Sequence, residues 1–390
     1  MKILHTVELY SPSVGGMQEV VRQISERLVL LGHEVTLATT KLAERTEREL
    51  KGVRIVEFEI SGNAVRGLTG EIERYQQFLI CSDFDVITNF AAQQWATDVA
   101  LRVLNGIRTR KVFVPTGFSG FYLPEYEDYF ASMKSWMKKY DMNVFLSNDY
   151  RDINFARESG VEKLTVIPNG AAADEFLPES TVNIRQQLGI PPNHFLILHV
   201  GSHTGFKGHE EAIEILRRSS IRHATLLIVA NDFGGGCGEF CERAKLDFNK
   251  SLKRFFDDKK LMVTSLPRNQ TVAAYKAADL FLFPSNIECS PLVLFECMAA
   301  RTPFLTTDVG NAGEIIGWSG AGQLLPTIKD SSGYSKAEVD GAAEMLRDIY
   351  HQPAKRAAMQ GSGFAAWRER FTWERITESY EALYLDLLRN

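Results

Sequence analysis

The sequence predicts an α/β protein with two doubly wound parallel-sheet domains and a ligand-binding cleft between them. Three observations carry this prediction. The 390 residues exceed what one hydrophobic core comfortably holds and suggest about two or three domains of ~150 residues each. Short β-rich runs alternate with helical patterns along the first half, as expected for parallel sheets covered by helices on both faces. The same alternation restarts after a polar, proline-rich stretch.

The first domain is expected to begin with a strand, a loop and a helix. KILHTV is strand-like, SPSVGG is turn-rich, and apolar residues from Met17 to Leu31 recur at helical spacing. Gly32 is expected to end this helix. Further strands are predicted in EVTLATT, GVRIVEFEI, FDVITNF, KVFVPTG, MNVFLS and LTVIP.

Segment 168–194 is predicted to be the interdomain linker, because it contains Pro168, Pro178, Pro191 and Pro192 and few long apolar runs. A second α/β domain of similar size is predicted after it, with strands in FLILHVG, ATLLIVA, KLMVTSL, DLFLFPS and TPFLTT. The C-terminal FTWERITESYEALYLDLL predicts an amphipathic helix. Its apolar stripe comprises Trp373, Ile376, Tyr380, Leu383 and Leu387.

Charge and hydrophobicity exclude several classes. A net charge of −5 argues against nucleic acid as the main partner, since phosphate binding usually demands a basic face. No apolar run approaches the ~20 residues that span a bilayer. The N-terminal MKILHTVELYSPSVGG lacks the apolar core and cleavage site of a signal peptide. We therefore expect a cytoplasmic protein.

The five cysteines are expected to be reduced and free. Cys237 and Cys241 are spaced to face each other on a helix. Two thiols without a nearby histidine make a poor metal site, so no metal is predicted.

The loops that follow the strands are the expected place for chemistry, because open α/β sheets bind ligands at the carboxyl ends of their strands. In NIECSPLVLFEC (286–297), Ser290 is predicted as the N-cap and Pro291 as the first helical residue. The amides of Leu292 and Val293 would then face a phosphate group at the positive end of the helix.

Glu288 and Glu296 flank this predicted phosphate site. Because carboxylates repel phosphate, they are expected to bind hydroxyl groups on either side of it. A ligand with sugar hydroxyls around a phosphate is a nucleotide sugar. The alternative is that Glu288 is a solvated loop residue and Glu296 a helix surface residue, and the residues alone leave both interpretations open.

Two further loops offer anion-binding features. Lys207 precedes Gly208 at a strand-to-helix loop, where its charge can neutralise a diphosphate; the alternative is an exposed surface lysine. Gly15 and Gly16 precede the first helix, where backbone amides can approach an anion; the alternative is a plain turn. The pattern is not GxGxxG, which disfavours a dehydrogenase-type dinucleotide fold.

These motifs together resemble the retaining glycosyltransferases of family 4, the group 1 or glycogen-synthase-like glycosyltransferases. The glycine pair, VIPNG, VG…KG, the block PSNIECSPLVLFECMAARTPFLTTDVGNAGEII and WERITESYEALY occur in that family's order and spacing. The resemblance covers nearly the whole chain and is densest over 196–317. It implies the GT-B fold of two facing Rossmann-like domains, and sugar transfer with retention, without a metal or other cofactor. The implied domains are 1–175, joined by the returning helix 372–390, and 176–371.

The resemblance also implies residue roles. Glu288 would bind the donor-sugar hydroxyls and Glu296 those of the ribose. The amides of Leu292 and Val293 would hold the diphosphate with Lys207, and Gly16 would close over it. The base would lie near SLPRN, with a UDP-sugar expected ahead of a GDP-sugar.

The sequence departs from the family pattern at three places. Ser202 stands where an arginine commonly pairs with the lysine, and His203 or Arg268 is the candidate replacement for its charge. Thr116 and Gly117 occupy the place of a first-domain histidine. Ala172 stands where the linker usually has aspartate. The departures concern the electrostatics of the leaving group and the acceptor contacts.

The acceptor side is less specified. A saccharide or lipid-linked acceptor in polysaccharide synthesis is implied by the family, and the aromatic segment 117–130 offers either a stacking surface or ordinary packing. ASMKSWMKKYD predicts a core-facing helix with solvated lysines ahead of a membrane-surface helix. Two other functions stay open. One is a sugar-nucleotide epimerase, for which His5 is the nearest first-domain acid–base group, and the other is a catalytically silent sugar-nucleotide sensor.

Overall fold

The computed structural model describes residues 1–81, 83–231, 236–250 and 256–389. The chain forms two compact units, Met1–Asn169 with Trp373–Asn390, and Gly170–Thr372. Within the described ranges, every helix is too short or too polar to cross a bilayer.

The first unit contains an eight-stranded sheet and a hairpin. The strands are β1 (Lys2–Thr6), β2 (Glu34–Thr40), β3 (Glu49–Leu50), β4 (Val53–Phe58), β5 (Ile60–Asn63), β6 (Gly67–Gly70), β7 (Val86–Phe90), β8 (Arg110–Val114), β9 (Met142–Phe145) and β10 (Leu164–Val166). The sheet order is β10-β9-β8-β7-β1-β2-β4-β3, and its neighbours are parallel except for the antiparallel β3–β4 pair. Strands β5 and β6 form the separate antiparallel hairpin.

Helices cover this sheet, which explains why its central strands are buried on both faces. They are α1 (Gly16–Leu30), α2 (Ile72–Cys81), α3 (Trp95–Val103), α4 (Glu127–Met137) and α5 (Arg151–Glu158). A short 3₁₀ turn spans Pro124–Tyr126. Every residue of β7 is buried, and four of the five residues of β1 are buried.

The second unit repeats the plan with a six-stranded parallel sheet. Its strands are β11 (Phe195–Val200), β12 (Ala224–Val229), β13 (Lys259–Thr264), β14 (Leu280–Phe283), β15 (Phe304–Thr306) and β16 (Gly322–Leu324), beside an antiparallel pair, β17 (Thr327–Lys329) and β18 (Ser335–Ala337). Its helices are α6 (Ala173–Phe176), α7 (Ile184–Gln187), α8 (His209–Arg218), α9 (Gly236–Lys250), α10 (Arg268–Ala277), α11 (Leu292–Ala300), α12 (Ala312–Ser319), α13 (Val339–Tyr350) and α14 (Pro353–Arg370).

The strand order of the second sheet fixes the expected ligand position. The order is β13-β12-β11-β14-β15-β16, with the first strand of the unit in the middle and the order reversing beside it. This is the Rossmann arrangement, in which ligands bind outside the carboxyl ends of the strands at the switch point. In this unit the switch point lies between β11 and β14.

The last helix of the chain belongs to the first unit. This helix, α15 (Trp373–Arg389), lies against α1, and buries Trp373, Tyr380 and Tyr384. The hydroxyl of Tyr384 is 2.7 Å from Thr88 Oγ1 on β7. The predicted amphipathic stripe therefore docks, but Leu383 and Leu387 are only partly buried and Tyr384 replaces them in the core.

The segment predicted as a linker is mostly part of the second unit, which starts at Gly170. Phe176, Ile184 and Ile190 belong to its hydrophobic core. The N–H of Ala171 donates to the Phe371 carbonyl at 3.0 Å. Prolines and polar residues do interrupt the regular structure here, but the apolar residues between them fill the core beside β11.

The α/β class with two parallel sheets is confirmed, and every strand predicted from the sequence is present. The short strands β3, β5, β6, β16, β17 and β18 were not predicted. They carry little apolar alternation. Strand β6 begins and ends with glycines, Gly67 and Gly70, which adopt positive φ and belong to a residue type that is depleted in strands.

Candidate active site

Two loops at the carboxyl edge of the second sheet meet at an ion pair. Lys207 follows β11 and Glu288 follows β14, and Lys207 Nζ lies 2.6 Å from Glu288 Oε1. Because β11 and β14 are adjacent, residues 81 apart in the chain come together. The side chains are 26% and 13% exposed, so the pair is sheltered while still reached by solvent.

The backbone brings these loops close. Gly208 has φ +73°, and a Cβ there would lie 1.9 Å from the Pro284 carbonyl oxygen. Glycine is required for this approach, because a side chain would clash and the conformation disfavours other residues. The N–H of Asn286 donates to the Phe206 carbonyl at 2.8 Å, so the two loops share a main-chain hydrogen bond.

Polar side chains hold Glu288 in place. The Ser285 hydroxyl lies 3.0 Å from Glu288 Oε1, the same oxygen that Lys207 contacts. Asn286 Nδ2 donates to the Ser335 carbonyl at 2.9 Å and to Glu211 Oε1 at 3.1 Å. Neither Ser285 nor Asn286 was predicted from the sequence as a site residue. Their position immediately after β14, next to Glu288, was the available signal.

Helix α11 begins one residue later than predicted. Pro291, with ψ 115°, is the N-cap, and Leu292 is the first helical residue, so the prediction of Ser290 as N-cap was wrong. Pro291 retains an extended ψ, and the helical conformation starts only after it. The amides of Leu292 and Val293 lie in the first turn, where the helix itself provides no acceptor, and the helix end is positive.

Glu296 is buried on α11, not a surface residue. Its side chain is 9% exposed, and its Oε1 lies 2.6 Å from Arg268 Nη1. Tyr275 lies beside it: burial, then the nearby Glu296 carboxylate, raises the pKa of Tyr275 well above its usual value. A buried carboxylate paired with a cation is costly to maintain for stability alone.

Arg268 bridges two carboxylates. At the start of α10 its guanidinium lies 2.6 Å from Glu296 Oε1 and 2.6 Å from Glu175 Oε2, and it packs over the Phe176 ring at 5.6 Å. Arg268, a candidate replacement for the missing diphosphate arginine, is thus paired with Glu296, the residue predicted to bind ribose. The role of Glu175 was not anticipated, since 93 residues separate it from Arg268.

The other predicted donor residues are more dispersed. Ser202 and His203 follow β11, and His203 Nδ1 lies 3.5 Å from Cys237 Sγ on α9. Gly15 is the N-cap of α1 and Gly16 its first residue, in the first unit. The Ser202 carbonyl accepts a hydrogen bond from the Thr204 N–H at 2.8 Å.

Two histidines, His203 and His209, lie near Cys237 beside the loop that carries Lys207. Burial, together with nearby His203 and Lys207, lowers the pKa of His209 to about 4. Burial and the neighbouring Cys237 raise the pKa of Cys241 to about 12. The sequence-based premise that no histidine lies near these cysteines was therefore wrong, because His203 and His209 come from a loop and helix that spacing could not relate to α9.

At the family-departure positions, Thr116 and Gly117 both have positive φ. The Gly117 N–H donates to Asp152 Oδ2 at 2.8 Å. Burial raises the pKa of Asp152 to about 6. Ala172 is the N-cap of α6.

The aromatic segment after β8 mostly packs inside the first unit. Phe118, Tyr126, Tyr129 and Phe130 are buried in its core, while Tyr122 is exposed. Helix α4 and the residues just after it show the predicted two faces. Met133, Met137 and Tyr140 are buried, and Lys134, Lys138 and Lys139 are exposed.

Two family models match the chain in succession. The model described as Glycosyltransferase Family 4 matches residues 14–175, and the model described as Glycosyl transferases group 1 matches residues 180–360. Together they leave only the first 13 residues, a four-residue gap and the last 30 residues unmatched.

Curated relatives match over about half of their length. The chain is 29% identical over 225 residues to a D-inositol 3-phosphate glycosyltransferase of Nocardia farcinica, covering 57% of this chain and 48% of that protein. It is 32% identical over 171 residues to the lipopolysaccharide glucosyltransferase WaaG of Escherichia coli, covering 42% of each.

Solved structures match over the whole chain. A sucrose-phosphate synthase from Thermosynechococcus elongatus superposes with a TM-score of 0.79 at 19% identity, covering 100% of this chain and 99% of the other. HepE of Anabaena, solved with UDP and glucose, gives 0.73 at 17% identity, covering 99% and 100%. At these identities the likeness concerns the fold, and it confirms the predicted GT-B class.

Proposed function

Because the chain belongs to the glycosyltransferases of group 1 and family 4, we propose that it transfers a sugar from a nucleoside diphosphate sugar to a saccharide or lipid-linked acceptor. The observation that carries the proposal is the Lys207–Glu288 pair, 2.6 Å long, at the switch point beside the start of α11. The lysine and the positive helix end suit the diphosphate of such a donor, and the carboxylate suits its sugar hydroxyls.

The donor diphosphate would bind between Lys207 and the first turn of α11. The ammonium group and the amides of Leu292 and Val293 offer positive charge and hydrogen bonds to phosphate oxygens. The diphosphate would compete with Glu288 for the lysine, leaving a carboxylate oxygen free to accept from a sugar hydroxyl. The sugar would thus lie beside Glu288, next to the bond that breaks.

The nucleoside would extend toward α10. Glu296 would accept hydrogen bonds from both ribose hydroxyls, with Arg268 holding its carboxylate in position. The base would lie near the residues that precede Arg268. A UDP-sugar is favoured over a GDP-sugar, because similar structures were solved with UDP or UDP-glucose.

The reaction breaks the anomeric C–O bond, and its electron pair leaves with the diphosphate. The acceptor hydroxyl oxygen forms the new bond to the anomeric carbon, and its proton passes to the departing phosphate. Negative charge grows on the diphosphate, so Lys207 and the start of α11 would act by preorganised electrostatics. In this proposal Lys207 and the start of α11 supply the positive charge that a metal ion would otherwise provide, so the transfer would need no metal. Retention of configuration follows from the family resemblance.

The two alternative functions have less support. An epimerase needs acid and base groups around the sugar ring. His5 is fully buried, with its Nδ1 2.7 Å from Ser25 Oγ and its Nε2 3.2 Å from the Tyr384 hydroxyl oxygen. It cannot act as an acid or base on a sugar without rearrangement. A silent sensor is favoured only by Ser202 at the place of the usual arginine.

A donor screen tests the proposal. UDP-, GDP- and ADP-sugars are compared by thermal shift, and the donors that stabilise the protein are then incubated with candidate acceptors and analysed by mass spectrometry. We expect stabilisation by UDP-sugars and a product heavier by one sugar. Interconversion of donor sugars without acceptor would establish the epimerase, and binding without transfer or hydrolysis would establish the sensor.

A further inference from the structure

Four potential metal ligands lie close together at the loop that carries Lys207. They are His203 in that loop, His209 at the start of α8, and Cys237 and Cys241 on α9; together they are named the His–Cys cluster. Cys237 Sγ lies 3.5 Å from His203 Nδ1 and 3.6 Å from His209 Nδ1. The ligand atoms of His203, Cys237 and Cys241 all lie within 4.8 Å of one another.

The two distances from Cys237 to the histidines match those of a tetrahedral zinc site. With Zn–S bonds of about 2.3 Å and Zn–N bonds of about 2.0 Å, sulfur and nitrogen ligands on a tetrahedron are separated by roughly 3.5 Å. The four-residue spacing of Cys237 and Cys241 places both thiols on one face of α9. Their facing histidines come from a different part of the chain, so the donor atoms approach from two sides.

The orientation of His209 supports the assignment. Its Nε2 lies 3.2 Å from the Gly201 carbonyl oxygen, to which it can donate. Such a bond leaves the lone pair on Nδ1, the nitrogen that faces Cys237. Metal-binding histidines are commonly fixed in this way, with the second ring nitrogen donating to a backbone carbonyl.

We propose that the His–Cys cluster binds a structural zinc ion, through His203 Nδ1, Cys237 Sγ, Cys241 Sγ and His209 Nδ1. Binding would form two Zn–S and two Zn–N bonds and release one proton from each thiol to solvent. The two thiolates would balance the charge of Zn²⁺, giving a neutral site suited to the buried Cys241.

The ion would connect the loop 201–208 to α9. This connection matters for the proposed transferase because the same loop carries Lys207, and it is here that the inference rests on the proposed function. Zinc would order the loop without contacting the donor, which is compatible with metal-independent transfer.

A second group, His194, His223 and Asp258, is the internal competitor for metal. There Asp258 Oδ2 lies 3.1 Å from His194 Nε2 and 2.8 Å from His223 Nδ1, an arrangement already satisfied by hydrogen bonds. It has no thiolate, so it offers softer metals a poorer site than the His–Cys cluster.

The test begins with the metal content of the full chain. The protein is produced with zinc in the medium, without a polyhistidine tag, and purified without chelator. Zinc per chain is measured by inductively coupled plasma mass spectrometry. We expect one equivalent in the wild type, in Cys81→Ser, whose cysteine is exposed in the first unit, and in His223→Asn. We expect a loss of most of it in Cys237→Ser and Cys241→Ser.

Cobalt substitution reports the ligands independently of folding defects in the variants. The wild-type protein, after exchange of zinc for Co²⁺, should show thiolate-to-cobalt charge transfer and the intense visible bands of tetrahedral coordination. His209→Gln should weaken these bands. A wild type without metal or thiolate bands, or full zinc content in a Cys237→Ser, Cys241→Ser double variant, overturns the proposal. Because both readouts are independent of sugar transfer, an inactive but zinc-loaded protein would count against the transferase alone.

Discussion

Lys207 Nζ and Glu288 Oε1 lie 2.6 Å apart although 81 residues separate them, joining the loops after the two central strands of the second sheet. The contact places a cation and an anion side by side at the edge where α/β sheets bind ligands. The cation is proposed to bind the leaving diphosphate and the anion the transferred sugar, so the two substitutions should have different consequences.

Lys207→Ala should lower turnover about a hundredfold, because removing one preorganised donor to a developing negative charge typically costs ~3 kcal/mol. Initial rates with saturating donor sugar measure the effect. Lys336→Ala, at an exposed position on β18, is the matched control and should leave the rate unchanged. A near-normal rate for Lys207→Ala would remove this lysine from the mechanism.

Glu288→Gln should weaken use of the donor sugar while leaving free nucleotide almost unaffected. A hydrogen bond to a charged group contributes about 1.5–3 kcal/mol, so we expect kcat/KM for the nucleotide sugar to fall roughly 10- to 100-fold. Calorimetry with UDP alone and with UDP-sugar separates the contributions. Equal weakening of both ligands would contradict the assignment to the sugar.

Glu296→Gln should show the converse pattern, because the proposed ribose contact is common to the nucleotide and the nucleotide sugar. We expect both dissociation constants to rise by about tenfold or more. Glu175→Gln is the control, since it removes the other carboxylate partner of Arg268 without touching the proposed ribose ligand. If Glu175→Gln weakened UDP as strongly as Glu296→Gln, the effect would belong to Arg268.

More of the fold than of the site could be predicted from the sequence. Parallel strands buried on both faces leave continuous apolar runs, so β1, β7 and β11 were visible as patterns. The loops carrying Lys207 and Glu288 were located by the same reasoning. Their contact depended on the strand order, which periodicity does not encode.

Contacts between distant loops and helices were beyond sequence reasoning. No spacing relates His203 to Cys237, 34 residues away, and the assumption that no histidine lay near the thiols failed for that reason. The Arg268–Glu175 pair was missed likewise. The error at Ser290 was local: proline is common at the first helical position, but Pro291 keeps an extended ψ and is itself the N-cap.

Gly208→Ala should destabilise the second unit by more than Gly205→Ala. Both glycines have positive φ, which costs a residue with a side chain about 1–2 kcal/mol. At Gly205 nothing lies within 4 Å of the added Cβ, whereas at Gly208 it would lie 1.9 Å from the Pro284 carbonyl. The difference between the two variants in urea unfolding isolates the clash. Equal destabilisation would show that the loops separate without cost.

Acid should destabilise the first unit through His5. Burial lowers the pKa of His5 to about 3, from 6.5 in the unfolded chain. Between these values the unfolded chain binds a proton that the folded chain does not, so the free energy of unfolding falls as the pH drops from 6.5 toward 3. At pH 4 the loss attributable to this group is ~3 kcal/mol relative to pH 7.

His5→Asn tests this assignment, since the amide can keep a hydrogen bond to Ser25, which lies 2.7 Å from His5 Nδ1, but cannot be protonated. The variant should be less stable than the wild type at pH 7, because it loses packing and the contact with Tyr384. Its stability should nevertheless decline less steeply with acid, and urea unfolding at pH 7, 5.5 and 4 measures both slopes. Other titrating groups, such as Asp152, are common to the two proteins and cancel in the comparison. Parallel slopes would show that protonation of His5 does not drive the acid sensitivity.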